Sequence, residues 1–212
     1  EIIVHIYAFG SVCRGDIDLG SDVDMLVVAN GKLGHINPSD YSIYSYDRIK
    51  ELWEQGNPFA WHLHLESKLV FSQDSSNYLD DLGRPRDYAD GESDCLKFYE
   101  IFKSACCSIN ESALSQVFDL STVFLAMRNF ASCYSLAYLE CPDFSRRSSI
   151  NLGAQSVPID REVFSILESA RILCTRGVGK NLTESQVTNA IESLPQIECW
   201  MKSLIRRNIN HE

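Results

Sequence analysis

The chain has 212 residues, 45% of them hydrophobic and 23% charged, with 19 basic against 29 acidic residues and a formal net charge of −10. This is the composition of a folded protein with a packed core, and it excludes the low-hydrophobicity, high-charge class of disordered chains. The acidic balance argues against general nucleic-acid binding, which needs a surface excess of Lys and Arg.

No run reaches the roughly 18 to 20 apolar residues of a membrane span and no signal peptide opens the chain, so a cytoplasmic protein with no membrane association is expected. The abrupt start in a strand-like run leads us to expect a preceding segment. Cys13, Cys95, Cys106, Cys107, Cys133, Cys141, Cys174 and Cys199 are scattered through apolar text without a CxxC pair. They are expected to be reduced core thiols.

Residues Ile2 to Phe9 form a β-branched and aromatic run that stops at Gly10-Ser11, a strand entering a tight turn. The polar stretch Val12 to Gly20 has room for one or two helical turns, and Val23 to Ala29 is a second strand closed by Asn30-Gly31. Tyr41 to Tyr46 alternates apolar residues with serine and predicts a third strand. From Asp47, a candidate cap, Ile49, Leu52 and Trp53 follow helical spacing to a stop at Gly56. Pro58 to Glu66 is a second short helix and Lys68 to Phe71 a closing strand, completing a small α/β unit over residues 1–72. Trp53, Trp61 and Tyr46 are expected in core or interdomain packing.

Residues 73–91 concentrate Asp, Ser, Gly and Pro and are taken as a linker. Residues 92–212 are helical in pattern. The predicted helices are Ser93 to Ile109, Ala113 to Leu139, Asp160 to Arg176 before Gly177, and Glu184 to Asn208 after the cap Thr183. Pro195 is expected to kink or divide the last. The fold class is therefore α+β: a small mixed sheet with flanking helices, followed by an antiparallel helical bundle.

Chemistry concentrates between Phe9 and Val28. Gly10 ends the first strand where a side chain would obstruct a ligand, and Ser11 can offer its hydroxyl and N–H to phosphate oxygens. Asp22 and Asp24 are two apart at the start of the second strand, so strand alternation points both carboxylates to one face. Two hard oxygen ligands on a rigid edge suit Mg²⁺, which completes its shell with water and substrate phosphates.

Gly10-Ser11, Arg14-Gly15 and Ser21-Asp22-Val23-Asp24, in that order between two apolar strands, resemble the active-site motif of the polymerase-β-like nucleotidyltransferases. The resemblance is closest to their minimal bacterial branch of aminoglycoside adenylyltransferases and nucleotidyltransferase antitoxins, and covers residues 2–72. It implies that Asp22 and Asp24 hold two metals, that Gly10, Ser11, Arg14 and Ser21 line the nucleotide site, and that a nucleoside monophosphate, usually AMP, passes from a nucleoside triphosphate to a hydroxyl acceptor. The acidic balance favours a small cationic molecule or a protein as acceptor.

The family adds a third carboxylate from the neighbouring strand, which often serves as base. Here the position expected to be acidic reads Ser42, with Asp40 two residues earlier on the same face and Asp47 at the other end. Asp40 is the candidate third acid. The alternative is a regulatory or antitoxin-like module that binds a nucleotide with little or no turnover.

His62, His64 and Glu66 invite a metal reading, but two-residue spacing parts the histidines around a helix, and surface or partly buried polar roles are expected. Arg128-Asn129 resembles, more weakly, the start of the Arg and His motif of HEPN domains, helical modules often paired with minimal nucleotidyltransferases. Position 133 is Cys rather than His. The pair is expected to be a buried hydrogen-bonding pair or to face a cleft, and a homodimer through the helical domain is a further expectation.

Overall fold

The structure is a computed structural model that describes residues 3–15, 23–31 and 41–209. The chain divides into two compact units, Glu1–Ala89 and Asp90–Glu212. The fold is α+β, a mixed four-stranded sheet in the first unit and a helical second unit.

In chain order the first unit holds β1 (Val4–Phe9), the single turn α1 (Ser11–Arg14), β2 (Asp24–Ala29), β3 (Ser42–Tyr44), α2 (Tyr46–Glu54), α3 (Pro58–Glu66), β4 (Ser67–Ser72) and the short α4 (Tyr78–Asp81). The sheet order is β3-β2-β1-β4. β1 runs antiparallel to both β2 and β4, while β2 and β3 are parallel. The expected succession of three strands, two helices and a strand is present.

Local chemistry moves two boundaries. The third strand ends at Tyr44 because Ser45, in extended conformation, accepts a hydrogen bond from the Arg48 N–H and caps α2. Asp47 therefore sits inside the first turn of α2 rather than at its cap, where its charge complements the helix dipole. Asn57 caps α3 in the same way, and Pro58 occupies the position where its missing N–H costs nothing.

Tyr7, Phe9, Leu26 and Val28 pack against Ile49, Leu52, Trp53, Ala60 and Leu63, so one face of β1 and β2 is covered by α2 and α3. Leu79 of α4 belongs to the same core, and Tyr7 Oη donates to Asn77 Oδ1 at 3.0 Å. Trp53 Nε1 donates to the Gly83 carbonyl at 2.8 Å, and Trp61 Nε1 to that of Arg86 at 3.0 Å. Residues 73–89 are thus fastened to the first unit.

At the far end of β1 from Gly10, the buried His5 is held between Tyr46 Oη, 2.6 Å from Nδ1, and the Ser76 hydroxyl, 3.0 Å from Nε2, with Asp74 3.2 Å away. Hydrogen bonds from the Ser76 hydroxyl and N–H and from Ser72, with His5 nearby, hold the Asp74 carboxyl down at about 2. A carboxyl depressed in the folded state stabilises the fold above its ordinary value near 3.8 and stops doing so as the pH falls through about 2. Asp74→Asn is therefore expected to lower the melting temperature at neutral pH. Its deficit against wild type should close between about pH 4 and pH 2, as thermal melts across that range will show.

The second unit consists of α5 (Gly91–Glu111), α6 (Gln116–Tyr138), α7 (Arg161–Arg176), α8 (Glu184–Glu192) and α9 (Leu194–Ile209), with two short 3-10 turns between α6 and α7. Opposed pairings fix the directions. Cys95 Sγ meets the Phe130 carbonyl while Ser108 Oγ meets Asp119, so α5 and α6 are antiparallel. Phe124 meets Phe164 while Cys174 meets the Val117 carbonyl, so α6 and α7 are antiparallel too.

The buried stripe of α6 is Leu120, Val123, Phe124, Met127, Phe130, Ala131 and Tyr134. Leu114, within the helix expected from Ala113, precedes α6, and Phe118 lies on the helix face opposite the buried stripe, so both are exposed. Of the eight cysteines none is in a disulfide, but only Cys95 and Cys133 are buried; Cys107, Cys141, Cys174 and Cys199 are exposed, which corrects the expectation of core thiols throughout.

Pro195 divides the C-terminal helical run as expected, with Ser193 ending α8 just before α9 begins. Thr183 and Gln186 form a reciprocal capping box at the start of α8. Thr183→Ala should cost about 0.5–2 kcal/mol, measurable as a shift in the urea midpoint at constant slope. No helix among the described residues is long and apolar enough to cross a membrane.

Candidate functional site

β1 ends at Phe9, and its C-terminal end is flanked on both sides. Phe9 pairs with Asp24 across β2 and with Ser67 across β4. Gly10 follows with φ 75° and ψ −137°, a conformation open essentially to glycine alone, and its N–H donates to the Glu66 carbonyl at 3.2 Å. The chain then winds into α1, whose C-cap Gly15 takes the left-handed conformation. The Gly10–Gly15 turn thus stands at the open end of the sheet, between the start of β2 and the end of α3.

Asp24 is exposed at the first position of β2. A Cβ placed on Gly10 would lie 3.1 Å from Asp24 Oδ2 and 3.9 Å from both Cε1 and Nε2 of His62. The absent side chain of Gly10 therefore leaves a cradle lined by a carboxylate oxygen and an imidazole edge. Because paired residues of an antiparallel ladder share a face, Asp24 lies on the same side as Phe9, the side covered by α3. Phe9 in turn meets the His62 ring edge-on at 5.6 Å.

Around this cradle lie three more charged or polarisable groups. Arg14 Nη1 is ion-paired with Glu66 Oε2, and His62 Nε2 stands 3.0 Å from the same oxygen. All three side chains are largely withdrawn from solvent. Cys13 packs behind them, its Sγ 3.3 Å from the Ala8 carbonyl. Burial pushes its thiol above the ordinary value, Lys68 and Arg14 pulling down and Glu66 adding to the rise.

Of the residues singled out in the sequence, Gly10, Ser11, Arg14 and Asp24 are gathered at this end of the sheet. Ser21, Asp22 and Asp40 lie outside the described residues. Ser42 begins β3 and is paired with Leu26, two positions deeper along β2 than Asp24.

Sequence reasoning does not bring His62 and Glu66 to Gly10. A signal for their partnership is present, because a spacing of four sets both on one face of α3. The two-residue spacing of His62 and His64 draws the eye away from it. His64 goes elsewhere, meeting Trp61 edge-on at 6.0 Å.

In the second unit Arg128 is partly buried, Nη2 donating to the Phe144 carbonyl at 3.2 Å, and its own carbonyl accepts from the Ser148 hydroxyl. It braces the loop after α6.

Gly10 as a side-chain-free cradle, an aspartate oxygen at its lip and an arginine on the adjoining turn suit an anionic ligand carried with a cation. No curated protein matches the chain. Residues 1–83, which span all four strands and the cradle, match the family model described as the nucleotidyltransferase domain, so this part of the chain is assigned to nucleotidyl transfer in general.

Proposed function

We propose that the protein transfers a nucleoside monophosphate, AMP in the first instance, from a Mg²⁺-bound nucleoside triphosphate to a hydroxyl group of a small cationic molecule or a protein, as a member of the minimal nucleotidyltransferase branch. The observation that carries this reading is the cradle, where Gly10 lacks the Cβ that would crowd Asp24 Oδ2 at 3.1 Å.

Asp22 and Asp24 would hold Mg²⁺, with Asp40 as the third carboxylate. Oxygen donors on a strand edge fit a hard cation that retains water and phosphate ligands. When bound, Mg²⁺ offsets charge on the phosphates and lowers the pKa of the attacking hydroxyl. The chain's own residues bind and orient. The backbone of Gly10 and the hydroxyls of Ser11 and Ser21 would contact phosphate oxygens, and Arg14 would add a charged donor. Asp40 would take the proton from the acceptor hydroxyl as it attacks the α-phosphorus and pyrophosphate leaves.

The pairing of β2 with β3 bears on the choice of third acid. Ser42 is level with Leu26, so its lack of a carboxylate does not count against transfer. This weakens the alternative of a nucleotide-binding module without turnover, which rested on Ser42.

The direct test is pyrophosphate release by the purified chain supplied with Mg·ATP and hydroxyl acceptors, with chelation of the metal as control. Binding of Mg·ATP without release on any acceptor would favour the non-transferring module, and failure to bind would sink both readings.

A further inference from the structure

The Gly10–Gly15 turn has no core of its own, for none of the four residues of α1 is buried. Glu66, the last residue of α3, grips it at both ends. Its backbone carbonyl accepts from the Gly10 N–H at 3.2 Å, and its carboxylate is ion-paired with Arg14. The carboxylate is itself backed by His62 Nε2 at 3.0 Å, and the His62 ring rests against the buried Phe9. A continuous path therefore runs from the core through Phe9, His62 and Glu66 to the guanidinium of Arg14.

We infer that Glu66 is a positioning residue that aims Arg14 at the polyphosphate of the nucleotide bound beside Asp24, an inference that rests on the nucleotidyl-transfer reading above. An arginine on a single helical turn with no buried residue samples many rotamers, and a fixed carboxylate behind it selects a few. The pairing does not preclude phosphate contact, because a guanidinium carries five N–H donors and a bidentate carboxylate takes two. The nearby Glu66 charge subtracts from the attraction of Arg14 for phosphate, so electrostatics alone would make its removal tighten binding. Side chains that are only 21% and 15% exposed favour orientation as the dominant effect.

The test compares Mg·ATP and AMP binding by titration calorimetry in wild type, Glu66→Gln, Arg14→Gln, the double variant and Asp24→Asn. Glu66→Gln is expected to weaken Mg·ATP about tenfold while AMP binding changes less than about twofold and the melting temperature holds. The double variant should bind Mg·ATP no worse than Arg14→Gln alone, since both substitutions act through one contact. Glu66→Asp, which keeps the charge, should recover part of the loss and stands in should Glu66→Gln fold poorly.

Unchanged or tighter Mg·ATP binding by Glu66→Gln, or equal losses for Mg·ATP and AMP, would overturn the positioning role. Asp24→Asn separates the two levels. If it loses Mg·ATP while Glu66→Gln does not, only the role of Glu66 fails; if it binds as wild type does, the site itself has been misread and the role of Glu66 falls with it.

Discussion

Asp24→Asn is expected to reduce Mg²⁺-dependent nucleotidyl transfer by at least about a thousandfold, which corresponds to about 4 kcal/mol of transition-state stabilisation. The substitution keeps the shape and replaces one carboxylate oxygen by an amide nitrogen, which cannot ligate a hard cation. The position is exposed at the first residue of β2, where a substitution of the same shape disturbs no core packing. The melting temperature should therefore move by no more than about a degree or two, the ordinary outcome of a surface substitution. Measuring pyrophosphate release and thermal unfolding on the same preparation separates the two effects. Wild-type rates in Asp24→Asn would remove the metal site from the mechanism, while a lost rate with a collapsed melting temperature would reassign Asp24 to the fold.

The elements were legible wherever local chemistry decides them. Val4–Phe9 and Asp24–Ala29 are apolar runs bounded by Gly10 and by Asn30-Gly31, and they form the strands their patterns predict. Pro58, Gly177 and Thr183 mark helix ends that the structure reproduces. The extent of α6 was harder, because the apolar text runs from Ala113, whereas the helix starts at Gln116 and Phe118 stands on the face opposite the core residues. At the site, Gly10 and Asp24 could be joined in advance because each stands next to a strand end.

Glu66 could not. Its distance from Gly10 is set by the return of the chain through α2 and α3 into β4, a long path that no local pattern encodes. The same holds for Ser42. Its place in the sequence suggested the level of Asp24, and only the parallel register with Leu26 shows that it sits two residues further in.

Gly10→Ala carries the second large effect, and here the cost is geometric. Gly10 adopts φ 75° with ψ −137°, outside even the left-handed helical region that Asn or Asp can visit. An alanine forced into it would be strained by about 1–3 kcal/mol. Its methyl would also stand 3.1 Å from Asp24 Oδ2 and 3.9 Å from His62, so relief requires the carboxylate to swing or the turn to shift. Either movement displaces the group proposed to hold the cation, and a misplacement of about 1 Å costs on the order of a hundredfold in rate.

Gly15 supplies the control. It has φ 80° and ψ 11°, and an added methyl there would meet nothing within 4 Å, so Gly15→Ala should lose about 1 kcal/mol of stability and little activity. Transfer rates and urea midpoints for the two variants together decide the matter. Equal activity losses would mean that any stiffening of the turn suffices. A loss confined to Gly10→Ala, about a hundredfold, would locate the effect in the space between Gly10 and Asp24.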